Sequence, residues 1–126
     1  MVVILDTNFL IYLIKHRLAD EARALGRLVV PESVVKELKK PSLGGEASKH
    51  ASAALELIGK WGLEVMAVDE KNVDDSIVGL AEKLKKTEKE VLVATSDEEL
   101  ASRLGAKGIK TIGIKRGKTI SGQRKV

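Results

Sequence analysis

The chain of 126 residues contains no cysteine. That excludes disulfides, thiolate zinc sites and a cysteine nucleophile, and it accords with a reducing compartment. Aromatic residues are nearly missing too, with Phe9, Tyr12 and Trp61 making up the full set. The hydrophobic 44% of the chain is therefore mostly Val, Ile, Leu and Ala, and a platform of aromatics for stacking nucleic-acid bases is not at hand. Long apolar runs are lacking as well. The opening Met1 to Leu5 meets Asp6 too early for a signal-peptide core, and every later apolar stretch is broken by charge short of a spanning length. A soluble, cytoplasmic protein without membrane contact is the expectation. No glycine-rich phosphate loop and no nucleophile elbow occurs. The two histidines, His16 and His50, fall at helical positions expected to be exposed.

The length suits one domain. Net charge is +4, but its location matters more than its size. Residues 115 to 126 carry Lys115, Arg116, Lys118, Arg124 and Lys125 with no acid, leaving the preceding residues close to neutral. We read residues 1–114 as the domain and 115–126 as a basic C-terminal tail. Such a tail is either a solvated end or an RNA-binding arm whose cations displace counterions from phosphates.

Short β-branched runs alternate with longer helical patterns. Val2 to Leu5, Leu28 to Val30, Leu63 to Val68, Val91 to Ala94 and Thr111 to Ile114 read as buried strands. Between them, Phe9 to Lys15, Leu18 to Leu25, Glu32 to Lys40, Glu46 to Lys60, Val73 to Leu84 and Asp97 to Leu104 read as helices. Ser96 is the expected N-cap of the last helix and Gly105 its C-cap. The segment Pro41 to Gly45 is the expected interior loop. The alternation argues for a three-layer α/β domain with a mainly parallel sheet.

Ligands of an open α/β sheet bind outside the carboxyl ends of its strands. Asp6 directly follows the first strand, and Asp97 follows the Val91 to Ala94 run. Asp74 and Asp75 open a helix, and Glu37 lies about one and a half turns into another. Each has an ordinary structural role open to it, as a helix cap, a first-turn charge or a solvated acid. Four separate elements bringing acids to one edge form a pattern, however. Clustered carboxylates repel one another, which a hard divalent cation such as Mg²⁺ or Mn²⁺ relieves. Such an ion can activate water and stabilise a phosphoryl transition state.

The residues that carry this pattern resemble the PIN-domain superfamily over nearly the whole chain. Val3 to Ile11, with Asp6 and Asn8, resembles its first motif. Val30 to Leu38, with Glu37, resembles the second, Val73 to Val78 the third, and Val93 to Leu100 the fourth. The resemblance implies a five-stranded sheet of order 3-2-1-4-5 and Mg²⁺- or Mn²⁺-dependent endonucleolytic hydrolysis of RNA. It assigns the metal and catalytic roles to Asp6, Glu37, Asp74 and Asp97, with adjacent Asp75 as the alternative third acid, and supporting roles to Asn8 and Thr95. Two branches of the family fit. One is similar to the stand-alone nucleases of small-subunit ribosomal RNA maturation, which implies a ribosome-assembly partner. The other comprises VapC-type toxins held by an antitoxin peptide. Homodimers are common in the family. A different class of function, a PIN-fold module that binds RNA without cutting, is the main rival. A haloacid-dehalogenase-type phosphotransferase needs a second acid where Asn8 stands, and a response-regulator receiver needs its acidic pair after the first strand.

Overall fold

The structure, a computed structural model, describes residues 1–40, 45–69, 72–115 and 119–120. Its organising strand is β1 (Val2–Leu5), in which all four residues are buried. Successive side chains of a strand point to opposite faces, so both faces of the sheet are covered. β1 pairs in parallel with β2 (Arg27–Pro31) on one side and with β4 (Val91–Ala94) on the other. In that register Ile4 lies between Val29 and Val93. β3 (Glu64–Met66) extends the sheet beyond β2, and β5 (Lys110–Ile112) extends it beyond β4. The resulting order, β3-β2-β1-β4-β5, is the one the family resemblance implied. The core is aliphatic, as the scarcity of aromatics requires, and Phe9 is the only aromatic side chain wholly inside it.

Among the described residues, six helices supply the cover: α1 (Thr7–Lys15), α2 (Ala19–Arg23), α3 (Glu32–Leu38), α4 (Gly45–Trp61), α5 (Val73–Lys85) and α6 (Glu98–Ala106). The apolar stripe of α5 buries Ile77, Leu80, Ala81 and Leu84, and that of α4 buries Ala51, Ala54 and Ile58. α4 packs across α1 and α3, while α5 packs against α3 and α6. Among the described residues, no helix is long and apolar enough to cross a membrane.

Several expectations need correction. The third strand is shorter than Leu63 to Val68 and is not buried, with Val65 45% exposed. It sits at the sheet edge, paired only with β2, and lacks the cover that central strands receive. The N-cap of α6 is Asp97 rather than Ser96, because Asp97 Oδ1 accepts from Leu100 N at 3.0 Å. Gly105 lies inside that helix, and Gly108 takes the left-handed turn after it at φ +75°. The fifth strand runs Lys110–Ile112 rather than Thr111 to Ile114, because Ile114 belongs to a separate antiparallel pair, β6 (Ile114–Lys115) with β7 (Thr119–Ile120). The Pro41 to Gly45 loop falls almost wholly outside the described residues, as do Arg116, Lys118, Arg124 and Lys125.

Gly26 joins α2 to β2 at φ +155°, where a Cβ would stand 2.6 Å from the Met1 carbonyl oxygen. That carbonyl accepts the Arg27 N–H at 3.0 Å, so the contact sits at the start of the β1–β2 pairing. Gly26→Ala should destabilise the fold by about 1–3 kcal/mol, the usual cost of an atom forced into filled space. Urea denaturation would show it as a lowered midpoint at constant slope.

Candidate active site at the carboxyl edge of the sheet

Asp6 leaves the end of β1 and caps α1. It is 6% exposed, and both of its carboxylate oxygens are held. Oδ1 accepts from Thr7 N and Oδ2 from the Thr95 hydroxyl, each at 2.7 Å. Burial nonetheless pushes its carboxyl above the ordinary aspartate value. The two hydrogen bonds pull the other way, and the charges of Asp74 and Glu37 push it up further. Asp74, in the first turn of α5, is raised too. Burial is again the largest cause, followed by the charge of Asp97, with Asp75 and Glu37 adding to it and Arg103 opposing it. Asp6 thus feels the charges of Asp74 and Glu37, and Asp74 those of Asp97 and Glu37, which links the four acids singled out from the sequence.

Thr95, fully buried just beyond β4, ties two of these acids together. Its hydroxyl donates to Asp6 and accepts the backbone N–H of Asp97 at 3.1 Å. A second tie escaped sequence reasoning. The hydroxyls of Ser33 in α3 and Ser76 in α5 bond to each other, and Ser76 Oγ donates to Val73 O at 2.7 Å. If Ser76 gives its proton to that carbonyl, Ser33 is the donor in the serine pair. Both serines are buried. Ser33 stands one helical turn before Glu37, and Ser76 stands two residues after Asp74, so the bond joins the two acid-bearing helices. Two serines separated by 43 positions offer no sequence signal that they meet.

Asp75 has a different setting from Asp74. It is exposed, and its Oδ1 accepts from Arg103 Nη2 at 2.9 Å. Asn8 is exposed on the first turn of α1. The histidines are half-buried rather than exposed: His16 ends α1 with its ring stacked on Tyr12, and His50 lies on α4. Of the basic residues assigned to RNA, Lys115 lies in β6, and the other four are outside the described residues.

A hard cation suits this donor set. All the converging groups are carboxylates, and two are held above their usual range partly by the charge of the others. Among the described residues, no three acid or histidine side chains close on a single point. The hydroxyls of Thr7 and Ser96, next to Asp6 and Asp97, are buried with no hydrogen-bond partner among the described residues. Polar capacity at this edge thus exceeds what the protein alone satisfies.

A family model described as a PIN-like domain matches residues 3–118. The chain belongs to that family. Among solved structures, this PIN-like chain is similar to the PIN domain endonuclease Utp24, with a TM-score of 0.72 and 23% identity over 94% of this chain and 88% of the other. It is also similar to a domain of a functionally unknown protein from Methanocaldococcus jannaschii, with a TM-score of 0.64 and 19% identity over 99% of this chain and 95% of the other. At those identities the likeness speaks for the PIN fold. No curated protein matches the chain.

Two outcomes follow for this PIN-like domain. Ser33→Ala and Ser76→Ala should each cost about 1 kcal/mol or more, and the double variant less than their sum, with a coupling of about 1 kcal/mol. Additive losses in denaturant titrations would mean that the two hydroxyls do not act as a pair. The second outcome concerns Asp6 and Asp74, whose folded values lie above 3.8. Between that value and the raised ones, the folded protein holds more protons than the unfolded. The contribution of these groups to stability therefore falls as pH rises through that window and stays low above it. At neutral pH without divalent ions, Asp74→Asn should melt a few degrees higher than the parent, with the gain vanishing below pH 3.8. A variant that melts no higher would show that repulsion at Asp74 is not a net cost to the fold.

Proposed function

We propose that this PIN-like chain is a divalent-metal-dependent endoribonuclease acting at the carboxyl edge of its sheet. The observation that carries this reading is the meeting of acids from separate elements at that edge: the Thr95 hydroxyl joins Asp6 to Asp97, and Asp6 and Asp74 both feel the charge of Glu37. Asp6, Glu37, Asp74 and Asp97 would hold Mg²⁺ or Mn²⁺, directly or through water. When bound, the ion supplies positive charge against the phosphate oxygens and eases ionisation of the attacking water. The residues of the chain do the rest. Thr95 and the Thr7 N–H fix the orientation of the Asp6 carboxylate. The Ser33–Ser76 bond sets the spacing of the helices that bear Glu37 and Asp74. Arg103 engages Asp75, which favours Asp74 as the third acid of the cluster.

The reaction is hydrolysis of an internal phosphodiester bond. Water oxygen bonds to phosphorus as the bond to the leaving ribose oxygen breaks. Ribosomal RNA is the narrower substrate we favour, on the likeness of the Val73 to Val78 and Val93 to Leu100 motifs to the stand-alone branch of the family. The basic residues Lys115, Arg116, Lys118, Arg124 and Lys125 would contact RNA phosphates.

Incubating the protein with a structured RNA and Mn²⁺, Mg²⁺ or EDTA tests the proposal. Internal cuts should require the metal, and Asp6→Asn should slow them by roughly 100-fold or more while keeping the fold. Salt-sensitive RNA binding with no cutting under any metal condition would favour the non-cutting RNA module instead. A folded Asp6→Asn protein that cuts as well as the parent would eliminate the mechanism.

A further inference from the structure

The opposite edge of the sheet, where the strands begin, holds a group of lysines. Where β4 and β5 begin lies a cavity of about 130 Å³, whose lining includes Lys85, Lys89, Glu90, Gly108 and Lys110. Lys85 is held in place there: its Nζ donates to the carbonyls of Lys107 at 3.2 Å and Gly108 at 3.3 Å. Gly108 makes that seat available, since a Cβ at its position would stand 2.9 Å from the same Nζ. An ammonium has three N–H donors, so two bonds to carbonyls leave one for a ligand. Lys89 and Lys110 are exposed, and neither has an ion-pair partner among the described residues. Glu90 is the one acid in the lining.

We infer that this basal cavity is a phosphate-binding subsite that grips RNA backbone away from the acid edge. The inference rests on the RNA reading above and adds to it a place where the substrate is held. A site built of carboxylates repels a polyanion until its cation is present. Binding that precedes the metal needs positive charge elsewhere, and an ammonium already fixed by two carbonyls gives up little freedom when it takes a phosphate oxygen. The strands between the two edges are about four residues long, or roughly 13 Å, so one RNA strand can reach from the cavity to the acids.

Fluorescence anisotropy of a single-stranded RNA, in EDTA and over a series of salt concentrations, tests this. Lys89→Gln with Lys110→Gln should lower the salt slope of log Kobs by roughly 1.4, about 0.7 for each phosphate no longer neutralised, and weaken binding several-fold at low salt. Lys49→Gln with Lys60→Gln, two exposed lysines of α4, removes the same charge elsewhere and should leave the slope nearly unchanged. Melting curves of both pairs confirm the fold. An unchanged slope in the basal pair, or an equal drop in the control pair, would overturn the inference. Binding in EDTA is independent of cutting. A parent protein that never cuts, with a reduced slope only in the basal pair, would sink the nuclease and keep the subsite; a parent that cuts, with a basal pair that binds unchanged, would do the reverse.

Discussion

Acids gathered at one sheet edge must be held there against their own repulsion, and the Thr95 hydroxyl is where that constraint is met. It sits fully buried at the end of β4, donates to Asp6 and accepts from the backbone of Asp97. Asp6 begins α1 and Asp97 begins α6, so one side chain joins the starts of two helices that follow neighbouring strands. Capping and ligand binding, which look like rival uses for these aspartates in the sequence, are compatible in the structure. A carboxylate offers about four lone pairs. One bond to a helix N–H orients the group and leaves acceptor capacity for an ion.

The same logic extends to the other pair of acids. Glu37 and Asp74 sit on helices that follow β2 and β3, away from the reach of Thr95. Their helices are joined by the Ser33–Ser76 bond, a neutral link that adds no charge to a place already crowded with it. A salt bridge there would have neutralised an acid. The ion pair that does form nearby, Arg103 with Asp75, engages the neighbouring acid while only partly offsetting the charge around Asp74.

How much of this was legible depended on whether the signal was local. β1 and β4 could be bounded to the residue, because a strand buried on both faces is apolar at every position and ends at its first polar one. β3 could not, since Leu63 to Val68 is nearly as apolar and only its place at the edge limits its pairing. The positions of Asp6, Glu37, Asp74 and Asp97 after strands, or on the helices that follow them, were legible from a rule of topology rather than of composition. The start of α6 was misplaced by one residue. Ser96 and Asp97 are both good caps, and the choice between them turns on Thr95, whose hydroxyl takes the Asp97 N–H. The Ser33–Ser76 tie and the seat of Lys85 beside Gly108 are tertiary contacts between residues with no shared pattern.

Charge is therefore divided along the strands rather than spread over the molecule. Ahead of residue 115 the chain is nearly neutral in sum, and that neutrality conceals an acid edge at the strand ends and a lysine-lined cavity at their beginnings. A parallel sheet makes such a division easy, because every strand contributes one end to each edge and the connecting helices return between them. The acids that follow strands and the lysines around the starts of β4 and β5 then fall on opposite edges, without any strand carrying charge in its buried middle. The chain can thus concentrate repulsion where a cation would relieve it and still present a polyanion with an attractive surface. A uniform net charge of either sign could not do both.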